Sequence, residues 1–268
     1  MDYTLHLHGQ LTSLREPLVM GILNATPDSF FSKSRMQTEH DIMQRACDIV
    51  AEGGDIIDVG ACSTRPNSKP VSQKEEMKRL RLALTTVRCT FPKAIISVDT
   101  FRSDVAKMAV EELGADIVND VSEASEPAML RTVARLGVPY ILTSVQPSLH
   151  DTLLAFAQKV QQLRDMGQKD IILDPGFGFG KTVEENFLLM AQLEKLHVLQ
   201  LPLLVGISRK SMIWKTLGIT PDEALNGTTM LNTVALTKGA SILRVHDVKE
   251  AVECVRLASK LSPVTPQP

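Results

Sequence analysis

Polar residues recur at or near the ends of short apolar runs: Asn24, Asp58, Asp99, Asn119, Asp174, Lys210 and Arg244. Arg65 follows one such run in a loop, and His246 stands beside the last cation. Burying an acid without a partner is costly. Acids and amides gathered at one place therefore ask for a ligand rich in donors, for cations, or for both. An aminopyrimidine-type heterocycle offers an amine and ring N–H groups, and Asp and Asn side chains read such an edge with paired hydrogen bonds. The cations suit phosphate or diphosphate, with Arg favoured for forked contacts. Both characters together point to a heterocycle carrying a phosphorylated leaving group.

Each residue also has a plainer reading. Asp58 lies within its apolar run and either braces a neighbouring backbone or meets a ligand. Asp28, after Pro27, is a turn or helix-cap residue at least as readily as a metal ligand. Arg65 fits a solvated loop charge, and His246 an ordinary structural histidine. Ile171-Ile172-Leu173 reads as a buried strand that delivers Asp174 to its end, where Pro175 and glycines 176, 178 and 180 begin a mobile loop. Those glycines either admit a ligand or only relieve strain at a turn. The following Lys181-Thr182 imitates a phosphate loop, but Pro175 stands where that motif needs its first glycine. Common placement at strand ends outweighs any single assignment.

The elements that must position these groups alternate along the chain. Strands are expected at 18–23, 56–60, 94–98, 116–118, 140–142, 170–174, 203–207 and 241–243. Helices are expected at 39–52, 72–89, 103–113, 126–136, within 149–165, and at 183–196, 211–217, 222–238 and 248–261. The strands are continuous Ile-, Val- and Leu-rich runs, as parallel strands covered on both faces should be, and the helices supply the crossovers. A single (β/α)8 barrel is the expected fold, with an open doubly wound sheet as runner-up. A barrel gathers the polar strand ends at one mouth, whereas an open sheet strings them along an edge. Residues 1–17 read as an N-terminal β-hairpin or arm, 18–262 as the barrel, and 263–268 as a frayed tail.

Composition narrows the function. The 268 residues are 44% hydrophobic and 22% charged, with a net charge of −2. This suits a globular protein with a sizeable core, and the lack of a basic surplus argues against a nucleic-acid partner. One Trp and two Tyr argue against a base-stacking platform. Cysteines 47, 62, 89 and 254 form neither a zinc pattern nor a disulfide framework, so free thiols in a reducing compartment are expected. The alternating N-terminus lacks the pattern of a signal peptide, and no apolar run has membrane-spanning length. A cytoplasmic protein without a membrane partner is the expectation.

Several segments in order resemble the dihydropteroate synthase family of pterin-binding barrels. They are Met20-Gly21-Ile22-Leu23-Asn24-Ala25-Thr26-Pro27-Asp28-Ser29-Phe30, Ile57-Asp58-Val59-Gly60 with Ser63-Thr64-Arg65-Pro66, Ile96-Ser97-Val98-Asp99-Thr100, and Asn119-Asp120-Val121. Asp174 through Lys181, Gly206-Ile207-Ser208-Arg209-Lys210-Ser211 and Arg244-Val245-His246-Asp247-Val248 complete the set. The resemblance runs from about residue 18 to 261. It implies the joining of p-aminobenzoate to 6-hydroxymethyl-7,8-dihydropterin diphosphate, with Mg2+, to give 7,8-dihydropteroate and diphosphate by a dissociative path. It implies Asp99, Asn119, Asp174 and Lys210 around the pterin, with Arg244 packed on its face. Asn24, Arg65, Arg244 and His246 would hold the diphosphate, Asn24 lying near the metal. Asp99, Asp174, Lys210 and Arg244 would carry the catalysis. Phe30, Thr64, Pro66, Phe179 and Ser208 would border p-aminobenzoate, with loops after the first two strands closing to exclude water.

The family is usually dimeric and sulfonamide-sensitive, so both are expected here by resemblance. The chain departs from the family pattern where Ser32-Lys33-Ser34-Arg35 replaces an Asp-Gly-Gly stretch. It departs again where Cys62 replaces a Glu, and where Thr143-Ser144-Val145-Gln146 replaces a Met-His-Met-Gln stretch. A pterin-binding methyltransferase shares the acids and amide but has no use for the Ser63–Pro66 and Ser208–Lys210 segments. A non-catalytic pterin-binding barrel should have lost catalytic groups that this chain keeps.

Overall fold

The computed structural model describes residues 3–25, 38–62 and 71–261. A hairpin of β1 (Thr4–Leu7) and β2 (Gln10–Ser13) precedes β3 (Leu18–Asn24) and α1 (Glu39–Ala51). Then follow β4 (Ile56–Gly60), α2 (Gln73–Thr90), β5 (Ile95–Asp99), α3 (Ser103–Glu111), β6 (Ile117–Asp120) and α4 (Met129–Leu136). The chain continues through β7 (Tyr140–Thr143), α5 (Leu149–Asp165), β8 (Ile171–Asp174) and α6 (Val183–Ala191). It ends with β9 (Leu204–Val205), α7 (Ser211–Leu217), α8 (Leu225–Thr237), β10 (Ile242–Val245) and α9 (Val248–Leu261).

Eight parallel strands run in the order β8-β7-β6-β5-β4-β3-β10-β9. A parallel bridge from Leu173 to Leu203 joins the two ends, and the Leu173 N–H donates to Pro202 O at 2.9 Å. That closure decides for the barrel over the open sheet.

Strand periodicity sorts the side chains. One apolar cluster gathers Met20, Ile56, Ile117, Ile141, Ile172, Leu204 and Ile242, with Ile95 packed against it. These residues form the lower floor of the barrel interior, and Leu5, Leu7 and Leu14 join the same cluster. The hairpin thus plugs the barrel at the N-terminal ends of the strands, removing from water an apolar layer that would otherwise face it. Two residues further along each strand, the same inward parity reaches Asp58, Ser97, Asn119, Thr143, Asp174 and Arg244. Positions of the other parity, such as Val59, Val98, Val118, Leu142 and Leu173, pack into the larger cluster shared with the helices.

Several elements differ from expectation. The helix expected at 183–196 ends at Ala191, and a 3-10 turn (Leu193–Leu199) follows. Leu189, Met190, Leu193 and Leu196 stay buried throughout. Apolar spacing of three and four residues suits both helix types, so the change left no mark on the pattern. The helix expected from 126 begins at Met129. Glu126 instead accepts the N–H and hydroxyl of Ser103 at 2.6 and 2.7 Å. The eighth barrel strand extends to Val245, which places Arg244 inside it rather than after it.

Candidate active site

Parallel register brings the inward residues side by side. Asn24 lies opposite Gly60, Gly60 opposite Asp99, and Asp99 opposite Asn119. A Cβ on Gly60 would stand 3.4 Å from Asp99 Cβ and 3.5 Å from Asn24 Oδ1, so the missing side chain keeps this stretch of the mouth open.

At the centre lies a guanidinium between two carboxylates. Arg244 Nε donates to Asp58 Oδ2 at 2.7 Å, and Nη2 donates to Asp99 Oδ2 at 2.7 Å. Asp58 is fully buried and also accepts from Asn119 Nδ2, at 3.4 Å to Oδ1 and 3.3 Å to Oδ2. Among the described residues Asp58 thus braces side chains and not the neighbouring backbone. Asn119 Oδ1 is buried with no partner among the described residues. Desolvation raises the Asp99 pKa; Arg244 opposes that rise and the nearby Asp58 charge adds to it. Desolvation also works to lower the Arg244 pKa, but Asp58 and Asp99 outweigh it and raise it. The guanidinium is therefore permanently charged.

Across the mouth, Asp174 ends β8. Its Oδ1 accepts the Gly176 N–H at 2.8 Å, and Thr143 Oγ1 donates to Oδ2 at 3.4 Å. Burial raises its pKa, partly offset by Lys210. Lys210 donates to Phe177 O, and its Nζ lies 4.5 Å from the Phe179 ring centroid. Desolvation lowers its pKa to about 8, against the pull of Asp174.

The loop after Asp174 was expected to be mobile, but its backbone is tied at several points. Lys181 Nζ donates to the carbonyls of Ser144, Gly176 and Phe179 at 3.3, 3.1 and 3.2 Å. Asn186 Oδ1 accepts the Gly178 N–H at 2.7 Å. Lys181 is a brace, and Thr182 caps α6, accepting from the Glu185 N–H, so neither belongs to a phosphate loop. Gly176 has φ +72°, and a Cβ there would fall 1.8 Å from Ser144 O. Only glycine fits.

The segment after β9 is fixed from behind. Arg209, at φ +55°, forks onto Asp247 through Nε and Nη2 at 2.9 and 2.8 Å and donates to the carbonyls of Pro221 and Asp222. Ser208 Oγ accepts the His246 N–H at 3.1 Å and lies 3.0 Å from its Nδ1. Burial and the surrounding cations Arg244, Arg45, Arg209 and Lys210 depress the His246 pKa to about 3. The imidazole is a neutral hydrogen-bonding group.

Behind Asp99, the buried Glu76 accepts from Thr100 Oγ1 at 2.6 Å and pairs with Arg102. Cys62 lies beside this pair, 3.8 Å from Arg102 Nη1. Burial and Glu76 push its thiol up to about 12, so it stays protonated. The described cysteines are all free, and no metal-ligating cluster of His, Cys, Asp or Glu occurs among the described residues.

Asn24, Asp99, Asn119, Asp174, Phe179, Ser208, Lys210, Arg244 and His246 thus all come from strand ends or following loops at one end of the barrel. Asp28, Phe30, Thr64, Arg65 and Pro66 lie outside the described residues. Sequence reasoning missed the central part played by Asp58, although strand parity with Ile56 was the available signal. It also missed Thr143 beside Asp174, and the Arg209–Asp247 fork, which nothing in local spacing announces.

The profile of the pterin-binding enzyme family matches residues 20–246. A dihydropteroate synthase of Escherichia coli strain K12 is 38% identical over 268 residues, covering 94% of each chain. One from Bacillus subtilis strain 168 is 36% identical over 96% of this chain and 94% of its own. The chain belongs to the dihydropteroate synthase family. Solved structures of that family superpose closely. The Yersinia pestis dihydropteroate synthase with a sulfonamide drug has a TM-score of 0.91 at 34% identity, covering 97% of this chain and 99% of its own. The Coxiella burnetii dihydropteroate synthase in complex with pteroic acid has a TM-score of 0.89 at 34% identity, covering 97% and 98%. No helix among the described residues is long and apolar enough to cross a membrane.

Proposed function

We propose that this chain joins p-aminobenzoate to 6-hydroxymethyl-7,8-dihydropterin diphosphate, releasing diphosphate and forming 7,8-dihydropteroate. The transfer of a pterin-methyl group is the activity of its family. The observation that supports these substrates best is the juxtaposition of acceptors with two cations. Asp99, Asn119 Oδ1 and Asp174 offer acceptors to a ring rich in N–H donors, while the cations Lys210 and Arg244 offer donors beside them.

The remaining assignments rest on the family resemblance. Arg244, held between Asp58 and Asp99, presents its flat face to the pterin and its remaining N–H groups to the diphosphate. Asn24, Arg65 and His246 complete the diphosphate site; a neutral His246 contributes a hydrogen bond, not a charge. Phe179 and Ser208 border p-aminobenzoate together with Phe30, Thr64 and Pro66. The described donor set fits Mg2+ in one way. Mg2+ keeps waters and binds largely through substrate phosphates, so one amide oxygen from Asn24 suffices on the protein side. When bound, the ion neutralises charge on the departing diphosphate.

The residues of the mouth favour a dissociative substitution. As the C–O bond lengthens, the pterin methylene becomes cationic, and the carboxylates of Asp99 and Asp174 stabilise it. Charge grows on the diphosphate at the same time, so Arg244 binds the transition state more tightly than the substrate. The arylamine then attacks the methylene carbon and gives up a proton. Sulfonamides, as mimics of p-aminobenzoate, compete for the Phe179 side of the mouth. A homodimer in the cytoplasm is the working assembly and location.

Incubation of the purified chain with the pterin diphosphate, p-aminobenzoate and Mg2+ tests this reading. Diphosphate release that requires p-aminobenzoate is expected. Pterin binding with no such release contradicts it.

A further inference from the structure

Asp58 makes none of the contacts assigned above to substrate, yet both its oxygens are engaged. It is fully buried in β4 and points inward with Ile56 below it. An ionised carboxylate only accepts hydrogen bonds. An asparagine amide facing it has two orientations of nearly equal shape, and Asp58 chooses between them. With Nδ2 toward Asp58, the contacts are 3.3 and 3.4 Å. With the amide turned over, Asn119 Oδ1 would meet the carboxylate, two acceptors in a desolvated place with no proton between them. We propose that Asp58 is a positioning residue that fixes the Asn119 amide, so that Asn119 shows the mouth an acceptor oxygen and the site selects a pterin edge bearing a donor.

This inference rests on the reading that the mouth takes a pterin. Two observations carry it beyond that reading. Asn119 Oδ1 is buried and has no partner among the described residues, as an acceptor kept for a ligand should be. The same Asp58 oxygen that holds Asn119 also takes Arg244 Nε at 2.7 Å, so the carboxylate is itself pinned and its direction is not negotiable. The acceptors of Asp99, Asn119 and Asp174 then share one sign of hydrogen bond. A ring with an exocyclic amine satisfies them, and a ring with an oxo group at that position does not.

A double-mutant cycle tests the coupling. The dissociation constant of 6-hydroxymethylpterin is measured by calorimetry for the wild type, Asp58→Asn, Asn119→Ala and the double variant, with KM for p-aminobenzoate alongside. Asp58→Asn keeps an oxygen for Arg244 but offers Asn119 a donor as well as an acceptor. It is expected to weaken pterin binding about 10- to 100-fold when Asn119 is present. The loss should be at least about tenfold smaller in the Asn119→Ala background, with KM for p-aminobenzoate unchanged. Equal losses in both backgrounds overturn the inference while leaving the pterin reading intact. Should Asp58→Asn not fold, the wild type still decides. The 2-oxo analogue of the pterin is expected to bind about 100-fold more weakly than the 2-amino compound, and equal binding overturns the inference. A wild type that binds neither ring overturns both the inference and the reading beneath it.

Discussion

Lys210 Nζ sits 4.5 Å from the centroid of the Phe179 ring. One residue is expected at the pterin and the other at p-aminobenzoate, so a cation–π contact links the two halves of the mouth. Their spacing in sequence gives no hint of it; β8 and β9 become neighbours only when the barrel closes.

Phe179→Leu removes the ring but keeps apolar bulk. The contact is worth about 0.5–2 kcal/mol in a desolvated setting. KM for p-aminobenzoate should rise roughly tenfold, the affinity for the pterin falling less. Steady-state kinetics with each substrate varied in turn measure the split. A larger effect on the pterin than on p-aminobenzoate would place Phe179 on the wrong side of the site.

The lysines give the free protein an unusual response to alkali. Desolvation holds Lys210 and Lys181 at about 8, against 10.5 for a free side chain. Between those values the unfolded chain binds more protons than the folded one, so stability rises with pH across this window. Catalysis moves the other way, because Lys210 loses the charge that serves the pterin. Melting temperature should therefore climb from about pH 7.5 to about pH 9.5 while kcat/KM falls. Lys181→Met should flatten the climb and keep the kinetic limb. A melting temperature that drops steadily through this range contradicts the assignment.

On the acid side, Asp99 and Asp174 both have raised values through desolvation. Their carboxylates protonate at a higher pH than ordinary ones. Turnover should begin to fall above the usual carboxylate range of about 4. A pH–rate profile with its acid limb at or below that range would show that neither charge is needed.

Gly176→Ala forces a Cβ to within 1.8 Å of Ser144 O at a φ of +72°. The backbone must move and take Asp174 with it, since the Gly176 N–H is bonded to that carboxylate. A loss of about 3 kcal/mol or more is expected, roughly 10 °C in melting temperature. Thermal unfolding followed by circular dichroism measures it, and an unchanged midpoint would show that the loop yields freely.

The barrel was legible because alternation of apolar runs with helical spacing is a local property. The floor residues Met20, Ile56 and Ile172 sit where period-two counting puts them. Asp99, Asn119 and Asp174 were legible for the same reason, as polar groups on the inward parity near strand ends. What stayed hidden depends on contacts distant in sequence. Asp58 looked undecided because its partners, Asn119 and Arg244, stand 61 and 186 residues away. The loop at Asp174 looked mobile because glycines advertise freedom, while its restraints come from the single ammonium of Lys181 and from Asn186 on the next helix. The short seventh barrel strand was overextended to 203–207, since Gly206 and Ile207 continue an apolar run after the ladder has ended at Val205.

The central claim is that the cluster at the barrel mouth performs the pterin transfer. Lys210→Ala tests it most directly, assayed as p-aminobenzoate-dependent diphosphate release beside the far-ultraviolet spectrum of the variant. The fold should be kept and turnover should fall by about a thousandfold or more. A folded variant with near-normal synthase rates would contradict the account.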